Sequence, residues 1–236
     1  MRNVSVLAVF VRSSLYKVLL IIMLMVSVEG FKFYKFLGSS QETLMNAEQM
    51  FDKLNITDYF MLALVVVFLM LCVTENRLEK SSGNTFMRLR VSSKELFVIK
   101  TLYNVCVIAL LFVVQIWISI IITNVYIGHI GEDTLGTQQL FLVFYRSEAL
   151  HNILPMAEAG KWIRNILLVA AYAMQAAECG KKNHVIDIWI GIVLLMFMES
   201  PIGLNLVDMI VDLITVIVIA TALLKTFGAF SDDERE

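Results

Sequence analysis

From residue 59 to residue 73 the chain carries no ionised side chain, and from 101 to 124 it carries none again. Runs of that length suit helices inside a membrane, because a helix closes its backbone hydrogen bonds within itself. The wider composition agrees. Hydrophobic residues make up 58% of the 236 positions and the mean hydropathy is +0.76, against roughly 45–50% apolar content in soluble domains. The expected fold class is therefore an all-α integral membrane protein, a single domain over residues 1–236.

The two runs enclose a charged segment, residues 75–100, with six Lys or Arg side chains. Basic residues accumulate in loops on the cytosolic face, so this segment is expected there. A basic, partly apolar stretch between two spans is also a surface that a cytosolic partner can grip. Elsewhere the basic residues lie at span ends, where topology accounts for them, and no nucleic-acid face is expected.

Six spans fit the pattern, at about 14–36, 58–73, 97–125, 162–177, 185–198 and 205–224. Residues 4–16 read as a short amphipathic helix along the interface. Val28-Glu29-Gly30-Phe31 lacks a small-x-small cleavage site, so the first span is expected to be retained. Both termini then fall in the cytosol, in a multi-pass protein of a bacterial cell membrane. Arg146, Lys161 and Arg164 run against the charge rule, since this topology places them outside. Between spans three and four, residues 138–153 align Phe141, Tyr145, Glu148 and Asn152 on one stripe, with Leu140, Phe144, Ala149 and Leu150 beside it. That predicts an amphipathic outer helix, stopped by Pro155.

Several chemistries are disfavoured. No Gly-rich loop ending in Gly-Lys-Ser or Gly-Lys-Thr occurs: Gly160-Lys161 is followed by Trp162. His129, His151 and His184 are isolated, so no metal site is expected, and there is no Gly-x-Ser-x-Gly elbow. Cys72, Cys106 and Cys179 are odd in number, sit in or beside apolar runs, and read as structural thiols. No catalytic residues are assigned.

Polar groups inside spans are costly and so informative. Asp208 and Asp212, four residues apart, share a face of the last span, with Glu199 across the Ser200-Pro201 turn. Three carboxylates there would attract cations or basic groups, although helix-dipole placement explains Asp208 as well. Asn104, Gln115 and Ser119 in the third span either face a pathway or bond between helices. These five, Asn104, Gln115, Ser119, Asp208 and Asp212, are the candidate pathway residues.

Segment 75–100 resembles the cytosolic loop after the second span of ABC-2-type transporter permeases. The likeness runs through Glu79, Lys80 and Gly83, then Arg88-Leu89-Arg90-Val91-Ser92, then Glu95-Leu96 and Lys100. The proline that often precedes the Val-Ser step is replaced by Arg90. The six spans, the N-terminal helix and the cytosolic termini extend the resemblance over nearly the whole chain. The resemblance implies pairing with a second permease, identical or related, and docking of two cytosolic ABC ATPase subunits. It also implies that Glu79, Gly83, Phe86, Arg88, Leu89, Arg90, Ser92 and Glu95 couple to those subunits through a helix around 84–90. ATP and Mg would be bound by the ATPases, with no cofactor in this chain, and an amphiphilic peptide, lipid or drug would be exported. Two other classes stand beside it: a non-transporting scaffold or immunity protein, and a membrane enzyme.

Overall fold

The computed structural model describes residues 2–38, 47–88, 92–130, 136–154, 159–179, 190–193 and 206–228. These residues are almost wholly helical, with no strand among them. Among the described residues eight helices have both ends defined: α1 (Arg2–Leu37), α2 (Ala47–Leu54), α3 (Ile56–Arg88), α4 (Ser93–Ile130), α5 (Gly136–Arg146), α6 (Glu148–Ile153), α7 (Ala159–Glu178) and α8 (Leu206–Gly228). Three stretches, Leu7–Leu37, Ile56–Arg77 and Lys94–His129, are long and apolar enough to cross a membrane, and Met209–Leu224 is a shorter apolar helix. Their outward side chains include Leu20, Met23, Phe31, Leu62, Trp117 and Leu213. A surface of that kind suits lipid rather than water.

Each long helix buries one stripe. On α1 it is Phe10, Ser14, Val18, Ile22, Met25, Glu29 and Phe33, at spacings of three and four. That periodicity places all seven on one face. On α4 the stripe runs Phe97, Lys100, Asn104, Ile108, Leu111, Gln115, Ser119, Ile122 and Tyr126. On α7 small residues dominate, with Ala171, Ala173, Ala176 and Ala177 all buried. Small side chains let helix backbones approach closely, which is how helices associate where the solvent is itself apolar.

Side-chain contacts orient the bundle. Ser14 meets Tyr103, Glu29 meets Gln115 and Phe36 meets Tyr126, so α1 and α4 run in the same direction. Phe60 packs edge-on against Phe112 while Glu75 reaches Lys100, so α3 runs against α4. Tyr172 donates to the Leu64 carbonyl and Cys179 touches Cys72, which makes α7 parallel to α3. Arg164 pairs with Asp212, and Leu168 and Ala171 cluster with Val218, so α8 follows the direction of α7. At the end where α1 and α4 finish, Phe33, Ile56, Ile122 and Tyr126 share a cluster with Met50 and Phe51 of α2, Val143 and Phe144 of α5, and Leu150 of α6. The short helices thus cap one end of the bundle, opposite the charged segment.

Three expectations change. The N-terminal stretch is not a separate interfacial helix: α1 is continuous for 36 residues, about 54 Å at 1.5 Å per residue. Phe10 and Ser14 belong to the same buried face as Val18, so the first turns gain more by extending the span than by breaking from it. The second span also runs on. From Arg77 the helix continues to Arg88, eleven further residues and about 16 Å beyond the apolar stretch. No proline interrupts it, so nothing in the chain there forces an end. The outer helix is two helices, because Ser147 adopts an extended backbone (φ −71°, ψ 118°) as the N-cap of α6. The Ser147 side chain makes no cap hydrogen bond, so the break is in the backbone alone. The rings of Phe141 and Tyr145 stack at 6.2 Å on the exposed side, whereas Val143, Phe144, Leu150 and Ile153 face inward.

Between α2 and α3 the chain turns at Asn55, whose φ is +50°. Asparagine tolerates this left-handed conformation better than most residues. The expected fifth span falls mostly outside the described residues. Of it, residues 190–193 are helical, and Gly191 lies against the buried ring of Phe68.

Candidate functional site

The charged segment begins inside the bundle. Glu75 of α3 and Lys100 of α4 form an ion pair at 3.2 Å, with side chains only 3% and 6% exposed. Asn104, one turn beyond Lys100 and fully buried, donates through Nδ2 to Glu75 Oε1 and to the Ala173 carbonyl of α7, each at 3.2 Å. The Lys100 ammonium also lies 5.8 Å from the ring centroid of Phe10 on α1. Four helices therefore meet at one polar knot, just where α3 leaves the apolar region. Beside it, the Tyr103 hydroxyl donates to Ser14 Oγ at 2.5 Å, and Ser14 in turn donates to the Phe10 carbonyl. In a low-dielectric interior such bonds are strong when made and costly when broken.

On the α4 side the segment is closed by a capping box. The Glu95 backbone N–H donates to Ser92 Oγ at 3.2 Å, and the Ser92 N–H donates to Glu95 Oε2 at 3.3 Å. Each side chain satisfies a backbone donor that a helix start leaves unpaired. Ser92 and Glu95, expected as coupling residues, thus have a structural duty: they set where α4 begins. Both remain within reach of solvent. Of Glu79, Gly83, Phe86 and Arg88 the backbone is described and is helical; Leu89 and Arg90 lie outside the described residues. The extension after Arg77 holds the first four on one continuous rod.

The candidate pathway residues divide. Asn104, Gln115 and Ser119 all face inward and are fully buried. Asn104 belongs to the knot, while Gln115 donates through Nε2 to Glu29 Oε2 of α1 at 3.4 Å. Asp212 takes a different place. It is half exposed and pairs with the buried guanidinium of Arg164 on α7, Nε to Oδ1 at 3.5 Å. A carboxylate already facing a guanidinium has less attraction to spare for a passing cation. Asp208 is on the helical backbone of α8, its side chain not described, and Glu199 lies outside the described residues.

Two residues that carry weight here had no role in the sequence reading. Glu29 stood only beside a rejected cleavage site, and Glu75 only as the first charge of a loop. The available signal was a single carboxylate inside an apolar run, a placement expensive enough to demand a partner. Cys72 and Cys179 are both buried, their sulfurs 2.7 Å apart, and Cys106 is exposed. Among the described residues no group of three or more His, Cys, Asp and Glu is placed to hold a metal ion. Comparison with protein-family models, with curated proteins and with solved structures finds no match to this chain.

Proposed function

We propose that the chain is the membrane-spanning permease subunit of an ATP-driven ABC-2-type exporter. The observation that carries this reading is the helical rod from Glu75 to Arg88. It projects past the apolar part of α3, bears basic residues, and is rooted through Glu75, Lys100 and Asn104 in α1, α4 and α7. A force applied to such a rod moves several helices together, which is what a docked nucleotide-driven subunit needs. The order of Glu79, Gly83, Arg88, Arg90, Ser92, Glu95 and Lys100 in the sequence of segment 75–100 supports the family. The parallel direction of α7 and α8 supports the reading of six crossings, with one expected between these two helices.

In this reading segment 75–96 is cytosolic, and ABC ATPase subunits that carry ATP and Mg dock on it. A second permease, a copy or a relative, completes a pathway between the two bundles in a bacterial cell membrane. The cargo is amphiphilic. The outward apolar faces of α1 and α4 contact lipid or that second bundle.

Reversing Arg88 and Arg90 to Glu tests the docking surface. The buried knot is built from Glu75, Lys100 and Asn104, so the variant is expected to insert and fold. Co-purification of an ATPase subunit with the tagged chain is expected to fall at least tenfold, or about 1.4 kcal/mol. Undiminished co-purification contradicts this docking surface, and a wild-type chain that never carries an ATPase favours a membrane scaffold instead.

A further inference from the structure

Leu64, Phe68 and Cys72 are spaced four residues apart on α3 and share one buried face of that helix. The parallel helix α7 lies against this face. The Tyr172 hydroxyl donates to the Leu64 carbonyl at 2.8 Å, and the Tyr172 and Phe68 ring centroids are 4.5 Å apart. Seven residues further along the chain, the Cys179 sulfur lies 2.7 Å from that of Cys72. The two cysteines are 1% and 3% exposed and 107 positions apart in the sequence. They close the seam between α3 and α7 three residues before Glu75, where the rod is rooted.

Packing alone asks only for small side chains here, and α7 elsewhere supplies alanine, at Ala173, Ala176 and Ala177. Two sulfurs in contact across two helices add a chemistry that alanine lacks. A disulfide holds its sulfurs about 2.05 Å apart. Bonding this pair therefore needs a local shift of about 0.7 Å from the present 2.7 Å. Cys179 is the first residue after α7, and its backbone N–H is shared between the Gln175 and Ala176 carbonyls at 3.2 and 3.3 Å. Helix ends held by such divided bonds fray readily, which brings Cys179 to solvent. Cys72 lies inside α3, many residues from either end, and has no such opening.

We infer that Cys72 and Cys179 are a reversible oxidation site, with Cys179 attacked by peroxide and Cys72 resolving it. The Cys179 thiolate attacks one oxygen of hydrogen peroxide; the O–O bond breaks, leaving a sulfenic acid and releasing water. The Cys72 sulfur then attacks the sulfenic sulfur, the S–S bond forms, and the hydroxyl leaves as a second water. Two electrons pass from the thiol pair to the peroxide, and an added dithiol returns them. The bond ties α3 to α7 at the root of the rod, so the two helices can no longer part there. That the dithiol is the resting form rests on the cytosolic placement proposed above, since the cytosol keeps thiols reduced. Formation of the bond in purified protein depends neither on that topology nor on an ATPase.

The test uses the purified full-length Cys106→Ser chain in neutral-lipid nanodiscs, with hydrogen peroxide as the oxidant. After oxidation and denaturation in SDS, maleimide titration is expected to fall from two thiols to none, and dithiothreitol to restore both. Proteolysis is expected to release one linked peptide pair containing Cys72 and Cys179. Thermal unfolding is expected to rise by roughly 5–10 °C on oxidation and to return on reduction. In a further Cys72→Ala variant, dimedone is expected to trap sulfenic acid on Cys179. In Cys179→Ala, labelling of Cys72 is expected to be at least tenfold slower. Two thiols still titratable after oxidation overturn the site, as does their loss without a linked peptide. Equal dimedone labelling in the two alanine variants overturns the assigned order of attack. Should those variants not fold, the thiol count and the linked peptide in the Cys106→Ser chain decide alone.

Discussion

Lys100→Met is expected to destabilise the bundle by about 3–5 kcal/mol, the range for removing one partner of a buried ion pair. The lysine side chain is 6% exposed and the facing Glu75 side chain 3%. Removing the ammonium leaves that carboxylate without its cation at a depth where hydration cannot replace it. Reversible unfolding in mixed micelles measures the loss. The double variant Glu75→Gln, Lys100→Met is expected to recover most of it, because both charges go together and Asn104 retains an amide oxygen to donate to. Recovery of stability without recovery of transport is the expected pattern if the pair also transmits motion from the rod into α4. In that event the ATPase still co-purifies with the double variant. A single variant as stable as wild type would mean that the pair contributes nothing to holding α3 against α4.

Phe68→Ala is expected to cost about 3–5 kcal/mol, as for emptying a fully buried aromatic site. The ring is fully buried, its centroid lies 4.5 Å from that of Tyr172, and its edge meets Gly191. A Cβ built on Gly191 would fall 2.2 Å from Phe68 Cζ, with two more ring carbons within 3 Å. The hydrogen at that position is therefore a packing requirement. Gly191→Leu alone is expected to destabilise by about 1–3 kcal/mol through overpacking. In the Phe68→Ala background the same substitution fills the vacated volume and should stabilise. That reversal of sign, read as the coupling term of a double-mutant cycle, ties residues 190–193 to the middle of α3. Additive effects would contradict the contact.

Much of the helical framework was legible in the sequence because it rests on local pattern. Charge-free runs locate the apolar parts of α3 and α4, the expected span 162–177 falls within α7, and all of 205–224 but its first residue falls within α8. The inward aspect of Asn104, Gln115 and Ser119 was legible too, since polar residues in an apolar span avoid lipid. What they bond to was not. Glu75 meets Asn104 across 29 positions, and Glu29 meets Gln115 across 86. Helical periodicity gives the face a residue occupies but not which helix lies against it. Arg164 shows the cost of that gap. Counted as a loop charge, it contradicted the expected topology; buried against Asp212, it is no longer a loop charge. The length of α3 was missed for another reason. A change from apolar to charged residues marks the edge of the apolar region, whereas helix continues until a breaker or a competing contact ends it.

The account depends above all on the rod after Arg77 being exposed to the cytosol. A cysteine at Ser82, six residues short of the end of α3, reports this directly once exposed Cys106 is replaced by Ser; Cys72 and Cys179 are buried and contribute little background. With a membrane-impermeant maleimide, labelling is predicted in inside-out vesicles and absent in right-side-out cells. Labelling from the external side of intact cells would invert the bundle and contradict the assignment of residues 75–96 to an ATPase.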